Sequence, residues 1–395
     1  RSNELRVYFS AIARMDPVIR CLKPASYITN VSRIAYEDPL TVYLNEIGVR
    51  TILYCYSANS HLFSDVKPDG DFRNIDFANI LASTLVVWNG DFKDYVQRHS
   101  QTKTEVQIIG PLMDGDENVC QTKAVSLRSK IGIEETESRR HLRYISIFDI
   151  PSVTKSVALD YGHFPWAYTE DYALAFLKDI MKLWEECEDV SLVFKPKRDM
   201  ASDRYSRNNE YRGIVETLRN SERAVVVSDT INPWVPVAIS DLCIAMPFTS
   251  PSFAAMHYGI PGLFHDPTGI AAHHEYEGIE QFTSHDYEQL NSNVRSILYS
   301  ASKGDSDDGA VWAQASNLIG VEPGTNSTDK FRRFLKGNAR DEINGAQIET
   351  AWRTSPGDAE QIRDKSADSG PPGIKRRAAK KHPRVGRQTP DRLCD

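Results

Sequence analysis

Three hydroxyl side chains, Thr249, Ser250 and Ser252, stand close together, interspersed with two prolines, Pro247 and Pro251. They follow a hydrophobic run, Leu242 to Met246, and precede a short helix-like piece that stops at Gly259. Pro247 ends the strand. Thr249 or Ser250 suits a helix cap, and Pro251 suits the first turn. A helix N-terminus offers backbone N–H groups and the positive end of the macrodipole, so small hydroxyls beside it make an anion site. An ordinary helix cap uses the same residue types.

A second stretch strengthens the ligand reading. In "FKPKRD", Phe194 to Asp199, Lys195, Lys197 and Arg198 emerge from a buried strand, and Pro196 stiffens the loop. Cations fixed at a strand end suit a phosphate. His265 and Asp266 follow another strand and are expected at the same edge. The candidate nucleotide-binding set is therefore Lys195, Pro196, Lys197, Pro247, Phe248, Thr249, Ser250, Ser252 and His265. Two carboxylates are candidates for a general base, Asp149 in "FDIPSVTKS" and Asp114 in "IGPLMDGD"; Asp149 equally suits holding its loop by hydrogen bonds. Asp91 is a further candidate. Tyr56, Ser57, Asn59, Ser60 and His61 leave a strand of the first half, to meet an acceptor or to satisfy turn backbone. His273, His274 and Glu275 look like a metal cluster, but neighbouring histidines do not face one point, and no metal is expected. No GxGxxG, Walker A, GxSxG or HExxH pattern occurs.

The elements that must position these residues alternate. "LRVYF" reads as a strand, "DPLTVYLNEIG" as a helix with Asp38 as cap and Pro39 at its first position, and "VRTILYCYS" as a buried strand. "FANILASTLVVWN" holds a helix end and a strand, "DFKDYVQRH" is a helix and "EVQIIGP" a strand. A polar stretch follows. The alternation restarts with "YISIFDI", the helix "TEDYALAFLKDIMKLWEECE" capped by Thr169, "VSLVFKPKRD", the helix "YRGIVETLRN", "RAVVVSD", the short helix "PWVPVAIS", "DLCIAMPFTS", "GIPGLFHDP" and the helix "DYEQLNSNVRSILYS". Alternating strands and helices imply right-handed crossovers and parallel sheets.

This divides the chain into a first Rossmann-like domain (1–116), a linker (117–142), a second domain (143–303), a linker with a last helix in "DKFRRFLKG" (304–337), and a disordered basic tail (338–395). Two α/β sheets facing each other across a cleft make that cleft the expected site. The tail's Lys375, Arg376, Arg377, Lys380, Lys381, Arg384 and Arg387 leave two readings, a solvated extension and contact with an anionic membrane face.

Bulk properties exclude several classes. Among 395 residues, 41% are hydrophobic and 26% charged, as in soluble globular proteins, and the net charge of -7 argues against a general nucleic-acid binder. Cys21, Cys55, Cys120, Cys187, Cys243 and Cys394 form no CxxC or Cys/His cluster, so they read as reduced thiols, mostly of the core, in a cytoplasmic protein. No apolar run is long enough to span a bilayer. The opening residues carry neither Met nor a signal pattern, and the chain is expected to begin mid-protein.

Together "VVWNGDFKDYV…VQIIGP", "LVFKPKRD" and "IAMPFTSPSFAAMHYGIPGLFHDP" resemble the bacterial polysaccharide-biosynthesis proteins named for a Pro-Phe-Thr-Ser motif, here Pro247 to Ser250. The likeness spans about residues 5 to 300. More distantly, the second half is similar to GT-B glycosyltransferases, the sialyltransferases and Kdo transferases above all. In those a His-Pro pair and a Ser/Thr pair hold the CMP of a CMP-sugar. The resemblance puts Lys195-Pro196 in the first place and Thr249-Ser250 in the second, with Lys replacing His. It implies a metal-independent glycosyltransferase that moves a sugar from a CMP- or UDP-sugar to a growing surface polysaccharide, capsule or lipopolysaccharide. The donor is then a substrate and no cofactor is needed. The acceptor is a glycan or lipid-linked glycan, and the inner membrane is a peripheral partner through the basic tail. The same architecture also serves a UDP-sugar 2-epimerase, and a non-catalytic nucleotide or glycan-binding subunit of a synthase complex is a further alternative.

Overall fold

In the computed structural model, the described residues are 2–30, 37–57, 80–100, 103–112, 128–129, 131, 133, 141–150, 152, 154, 169–199, 208–269, 279, 281–299, 317, 320 and 326–343. Both sheets lie in one compact unit, Arg1–Asn344.

The first sheet contains β1 (Ser26–Thr29), β2 (Arg50–Tyr54), β3 (Thr84–Val87) and β4 (Glu105–Ile108), paired in chain order and all parallel. The helices of this half are α1 (Ser2–Leu22), α2 (Glu37–Glu46) and α3 (Gly90–His99). Strands buried on both faces carry near-continuous apolar runs, and every residue of β3 is buried. On one face Leu53, Leu85 and Val87 cluster with Phe92, Tyr95 and Val96 of α3. On the other, Ile52, Val86 and Ile109 are covered by Phe331, Phe334 and Leu335. Those three belong to the last helix of the described chain, which returns to the first domain.

The second sheet has the order β10-β9-β8-β5-β6-β7 and is parallel throughout. Its strands are β5 (Arg143–Phe148), β6 (Val190–Lys195), β7 (Ala224–Val226), β8 (Leu242–Ala245), β9 (Gly262–His265) and β10 (Thr283–Ser284). Its helices are α4 (Glu170–Glu186), α5 (Asn209–Arg219), α6 (Trp234–Ala238), α7 (Ser250–His257) and α8 (Tyr287–Tyr299), followed by α9 (Ser327–Ile343) on the first sheet. Ile145, Ile147, Leu192, Phe194 and Ile244 pack with α4, α5 and α8. Phe148, Cys243, Ala245 and Phe264 pack on the other face with Phe253 to Met256 of α7. The Thr169 hydroxyl accepts from the Tyr172 N–H at 3.3 Å and caps α4. Arg223 closes the other end of α4, donating to the carbonyls of Cys187 at 2.9 Å and Trp184 at 3.3 Å, and so braces the entry to β6.

Four sequence expectations need correction. "LRVYF" lies inside α1, because a short apolar run does not distinguish strand from helix and the helical stretch extends to Leu22. The helix starting near Pro39 begins at Glu37. β1 and β10 were not expected, being strands of four and two residues at sheet edges. The last helix continues to Ile343, past the expected start of the tail at Asn338. The tail beyond 343 lies outside the described residues. Cys55, Cys187 and Cys243 are buried free thiols, whereas Cys21 is exposed.

Candidate active site

The second sheet changes direction between β5 and β8. The chain builds β5, β6 and β7 outward on one side, then returns to build β8, β9 and β10 on the other. In open parallel sheets, ligands lie outside the carboxyl ends of strands where the order reverses. The residues leaving that point are Asp149 after β5 and Pro247 onward after β8. Phe148 pairs with Lys195 on one side and with Ala245 on the other. Lys195 and Ala245 therefore end level, roughly 10 Å apart at about 4.8 Å per strand.

The corner after β8 is tightly held. Phe248 adopts φ +58°, a left-handed conformation that costs free energy for any residue but glycine. Its ring is fully buried and meets Phe264 edge-on at 5.3 Å. Phe248 thus contributes a fixed turn, and its side chain belongs to the core instead of the ligand face where the sequence placed it. Thr249 closes the turn: its hydroxyl and its N–H both donate to the Met246 carbonyl, at 2.8 and 3.2 Å. Because that hydroxyl turns backward, α7 has no side-chain cap from Thr249. Ser252 also differs from expectation. Its hydroxyl is buried and donates to the Leu263 carbonyl at 2.9 Å, tying α7 to β9. Gly262 permits that approach, since a β-carbon there would strike the Ser252 carbonyl oxygen. Pro247 is buried, and Thr249 and Ser250 are half-buried. The described edge therefore presents Thr249, Ser250 and the first turn of α7.

On the β6 side, Lys195 is buried, and its ammonium donates to the carbonyls of Asp229 at 2.9 Å and Pro196 at 3.3 Å. Burial is the main cause lowering its pKa; Asp149 and Asp229 oppose that, and Arg198 adds to it. Lys197 and Arg198 are exposed. Asp149, itself buried, accepts from the Lys197 N–H at 2.5 Å and from the Tyr211 hydroxyl at 2.7 Å. It therefore pins the cationic loop to α5.

His265 is a clear departure. Its ring is fully buried beneath the edge, bonded to the Ser284 hydroxyl at 2.9 Å and to Asp179 at 2.9 Å. Side chains after a parallel strand alternate in direction, and this one turns toward α4. Asp266 is likewise buried and accepts from the Tyr172 hydroxyl at 3.0 Å and from Thr268. Cys243 lies under the corner with its thiol pushed up to about 12 by burial, which makes it packing material instead of a nucleophile. Asp91 sits in the first turn of α3. Tyr56 is exposed beyond β2. Asp114, Asn59, Ser60, His61, His273, His274 and Glu275 lie outside the described residues. Among the described residues, no cluster of His, Cys, Asp and Glu could hold a metal ion.

Residues with no role in the sequence reading join the first domain to this corner. Trp88, after β3, donates its indole N–H to the Cys55 carbonyl at 2.8 Å and belongs to the same apolar cluster as Phe148, Phe248 and Phe253. His257, in the last turn of α7, bonds the Ser327 hydroxyl at the start of α9 at 3.2 Å. Gly110, at φ +98°, lies against both, and a β-carbon there would strike the Ser327 hydroxyl. Further along, the Gly90 N–H donates to the Gly320 carbonyl at 3.4 Å, and Gly320 holds φ +66°. The one sequence signal for this junction was the Gly-Pro step closing β4.

Taken together, the edge sets the N-terminus of α7 and Ser250 across one strand from a cationic loop whose backbone the Asp149 carboxylate holds. Such an edge can hold a phosphate and stabilise negative charge developing on it.

Two Rossmann-like domains facing each other across a cleft make this a protein of the GT-B fold. The chain belongs to the polysaccharide biosynthesis PFTS motif protein family, whose model matches residues 9–294. Pro247 to Ser250 are the motif. Among solved structures, the UDP-GlcNAc 2-epimerase from Neisseria meningitidis bound to UDP-GlcNAc has a TM-score of 0.50 at 12% identity, over 84% of this chain and 82% of that one. The wall teichoic acid polymerase TagF, in a structure with CDPG, has a TM-score of 0.50 at 9% identity, over 81% and 74%. Identities this low speak for the fold alone. No curated protein matches the chain at a significant level.

Proposed function

We propose that the protein is a glycosyltransferase that moves a sugar from a nucleotide-activated donor onto a growing surface polysaccharide. The observation carrying this reading is the level pairing of Ala245, Phe148 and Lys195, which sets the Thr249–Ser250 corner and the Lys195–Arg198 loop on either side of one strand end. The donor's phosphates would lie between them. Transfer releases a nucleotide phosphate whose growing charge needs fixed partners. On this reading Lys195, Lys197 and the N-terminus of α7 supply them, without a metal.

An acceptor hydroxyl has a pKa far above 7, so inversion also requires a base. Asp149 and Asp114 remain the candidates, and Asp149 additionally orients Lys197. Closing the domains excludes water and limits donor hydrolysis. The solved structures support the reading to the extent that proteins of this fold are named with UDP-GlcNAc and CDPG.

The test is a thermal-shift screen with CMP, UDP, GDP and CDP, followed by assay of sugar release from the matching donors with glycan acceptors. Stabilisation by one nucleotide and acceptor-dependent release are expected. Interconversion of the donor's sugar without transfer would assign an epimerase instead, and binding without turnover in any acceptor mixture would leave a binding subunit.

A further inference from the structure

Among the described residues, every large apolar side chain that is exposed lies in the first domain, and half of them sit on α1: Phe9, Met15, Val18 and Leu22. The described residues of the second domain leave no large apolar side chain exposed. Met15, Val18 and Leu22 recur at helical spacing and form one stripe. Leu22 is 71% exposed and Val18 45%. Next to this stripe, Ile19 is buried with Leu44 and Val49, and Asp16 accepts hydrogen bonds from Tyr43 and Arg20. One face thus anchors α1 to α2 while the adjoining apolar stripe is left to solvent.

Charge identifies what suits that stripe. Along α1 and just after it stand Arg6, Arg14, Arg20 and Lys23, against Glu4 and Asp16. Asp16 is engaged by Arg20 and Tyr43, so its charge is matched within the fold. Arg6, Arg14 and Lys23 are exposed. A second copy of the chain would set two positively charged faces together. An anionic lipid surface offers both a negative layer for the arginines and an apolar layer for the stripe. No described helix is long and apolar enough to cross a membrane, so α1 would lie along the surface.

We propose that α1 docks the first domain on an anionic lipid surface, with Met15, Val18 and Leu22 entering the acyl boundary and Arg14 and Lys23, beside the stripe, meeting the headgroups. This does not depend on the transferase reading. It is tested by sedimenting the full chain with vesicles of phosphatidylcholine alone and of phosphatidylcholine mixed with phosphatidylglycerol, at low and high salt. Binding to the anionic vesicles, weakened by salt, is expected. Val18→Glu with Leu22→Glu should reduce it by roughly tenfold or more, and Arg14→Glu with Lys23→Glu should reduce it while leaving the melting temperature unchanged. All four positions are exposed, so the fold tolerates the changes. Absence of vesicle binding overturns the proposal. So does binding that both double variants leave intact, which would place the contact elsewhere, as on the basic tail. A dimer in solution that Val18→Glu with Leu22→Glu disperses, without any vesicle binding, would assign the stripe to a second copy instead.

Discussion

The carboxylate of Asp149 holds the backbone N–H of Lys197 at 2.5 Å. One residue leaves β5 and the other leaves β6, so this bond fixes the cationic loop against the strand at which the sheet reverses. Its other oxygen takes the Tyr211 hydroxyl at 2.7 Å and extends the brace to α5. Asp149→Asn should keep part of this geometry and Asp149→Ala none. Nucleotide affinity is expected to fall little for Asn and by about tenfold or more for Ala, from loss of charge-assisted hydrogen bonds. If Asp149 is also the base, Asn abolishes transfer at nearly unchanged affinity. Comparing kcat with affinity in the two variants separates the roles.

Thr249→Ala with Ser250→Ala should weaken nucleotide binding by roughly tenfold to a hundredfold, as expected for lost phosphate contacts worth about 1–3 kcal/mol. Both side chains are half-buried at the edge, so the fold should persist, with a small fall in melting temperature from the lost Thr249 bond to the Met246 carbonyl. Calorimetry checks the affinity and circular dichroism the fold. Ser252→Ala should do the reverse, lowering the melting temperature through the lost bond to the Leu263 carbonyl and affecting affinity less.

If Lys195 contacts the donor's phosphate as proposed, binding should depend on pH. Burial lowers its pKa, so the folded protein gives up this proton at a lower pH than the unfolded chain does. Between the lowered and the ordinary pKa the unfolded state binds more protons, and the stability of the free protein rises with pH. A phosphate favours the charged ammonium, so affinity should fall as pH rises through the lowered pKa, with proton uptake on binding in that window. Lys195→Arg should remove the dependence. Titrations in buffers of different ionisation enthalpy measure the uptake directly.

Gly110→Ala should loosen the junction between domains. The residue holds φ +98° and its β-carbon would strike Ser327. Strain of about 1–3 kcal/mol is expected, seen as a melting temperature lower by several degrees, at about 2–4 °C per kcal/mol for a chain of this size. Ser327→Ala in the same background should relieve part of the loss by removing the struck hydroxyl.

Much of this arrangement was legible in the sequence because alternation and strand ends follow from local pattern. Lys195 and Thr249 could be placed at one edge from the residues alone, since both directly follow apolar runs. What could not be read was side-chain direction. His265 follows a strand as plainly as Lys195 does, yet its ring turns under the sheet to Asp179 and Ser284. Phe248 stands between two edge residues and still points into the core, because its positive φ reverses the chain. The return of Phe331 and Phe334 to the first sheet is a long-range contact that no local pattern records. Likewise, "LRVYF" carries too few residues to show a helical period, and its helix became visible only over Ser2–Leu22.

On the proposed function, the Thr249–Ser250 corner and Lys195 hold one nucleotide between them. The most direct measurement is calorimetric titration of the wild-type protein, the Thr249→Ala, Ser250→Ala double variant and Lys195→Ala with whichever of CMP, UDP, GDP and CDP raises the melting temperature. Both variants should lose affinity by at least about tenfold, and combining them should cost less than the sum because both would contact one ligand. Unchanged affinity in either variant, with the fold intact, would contradict that assignment.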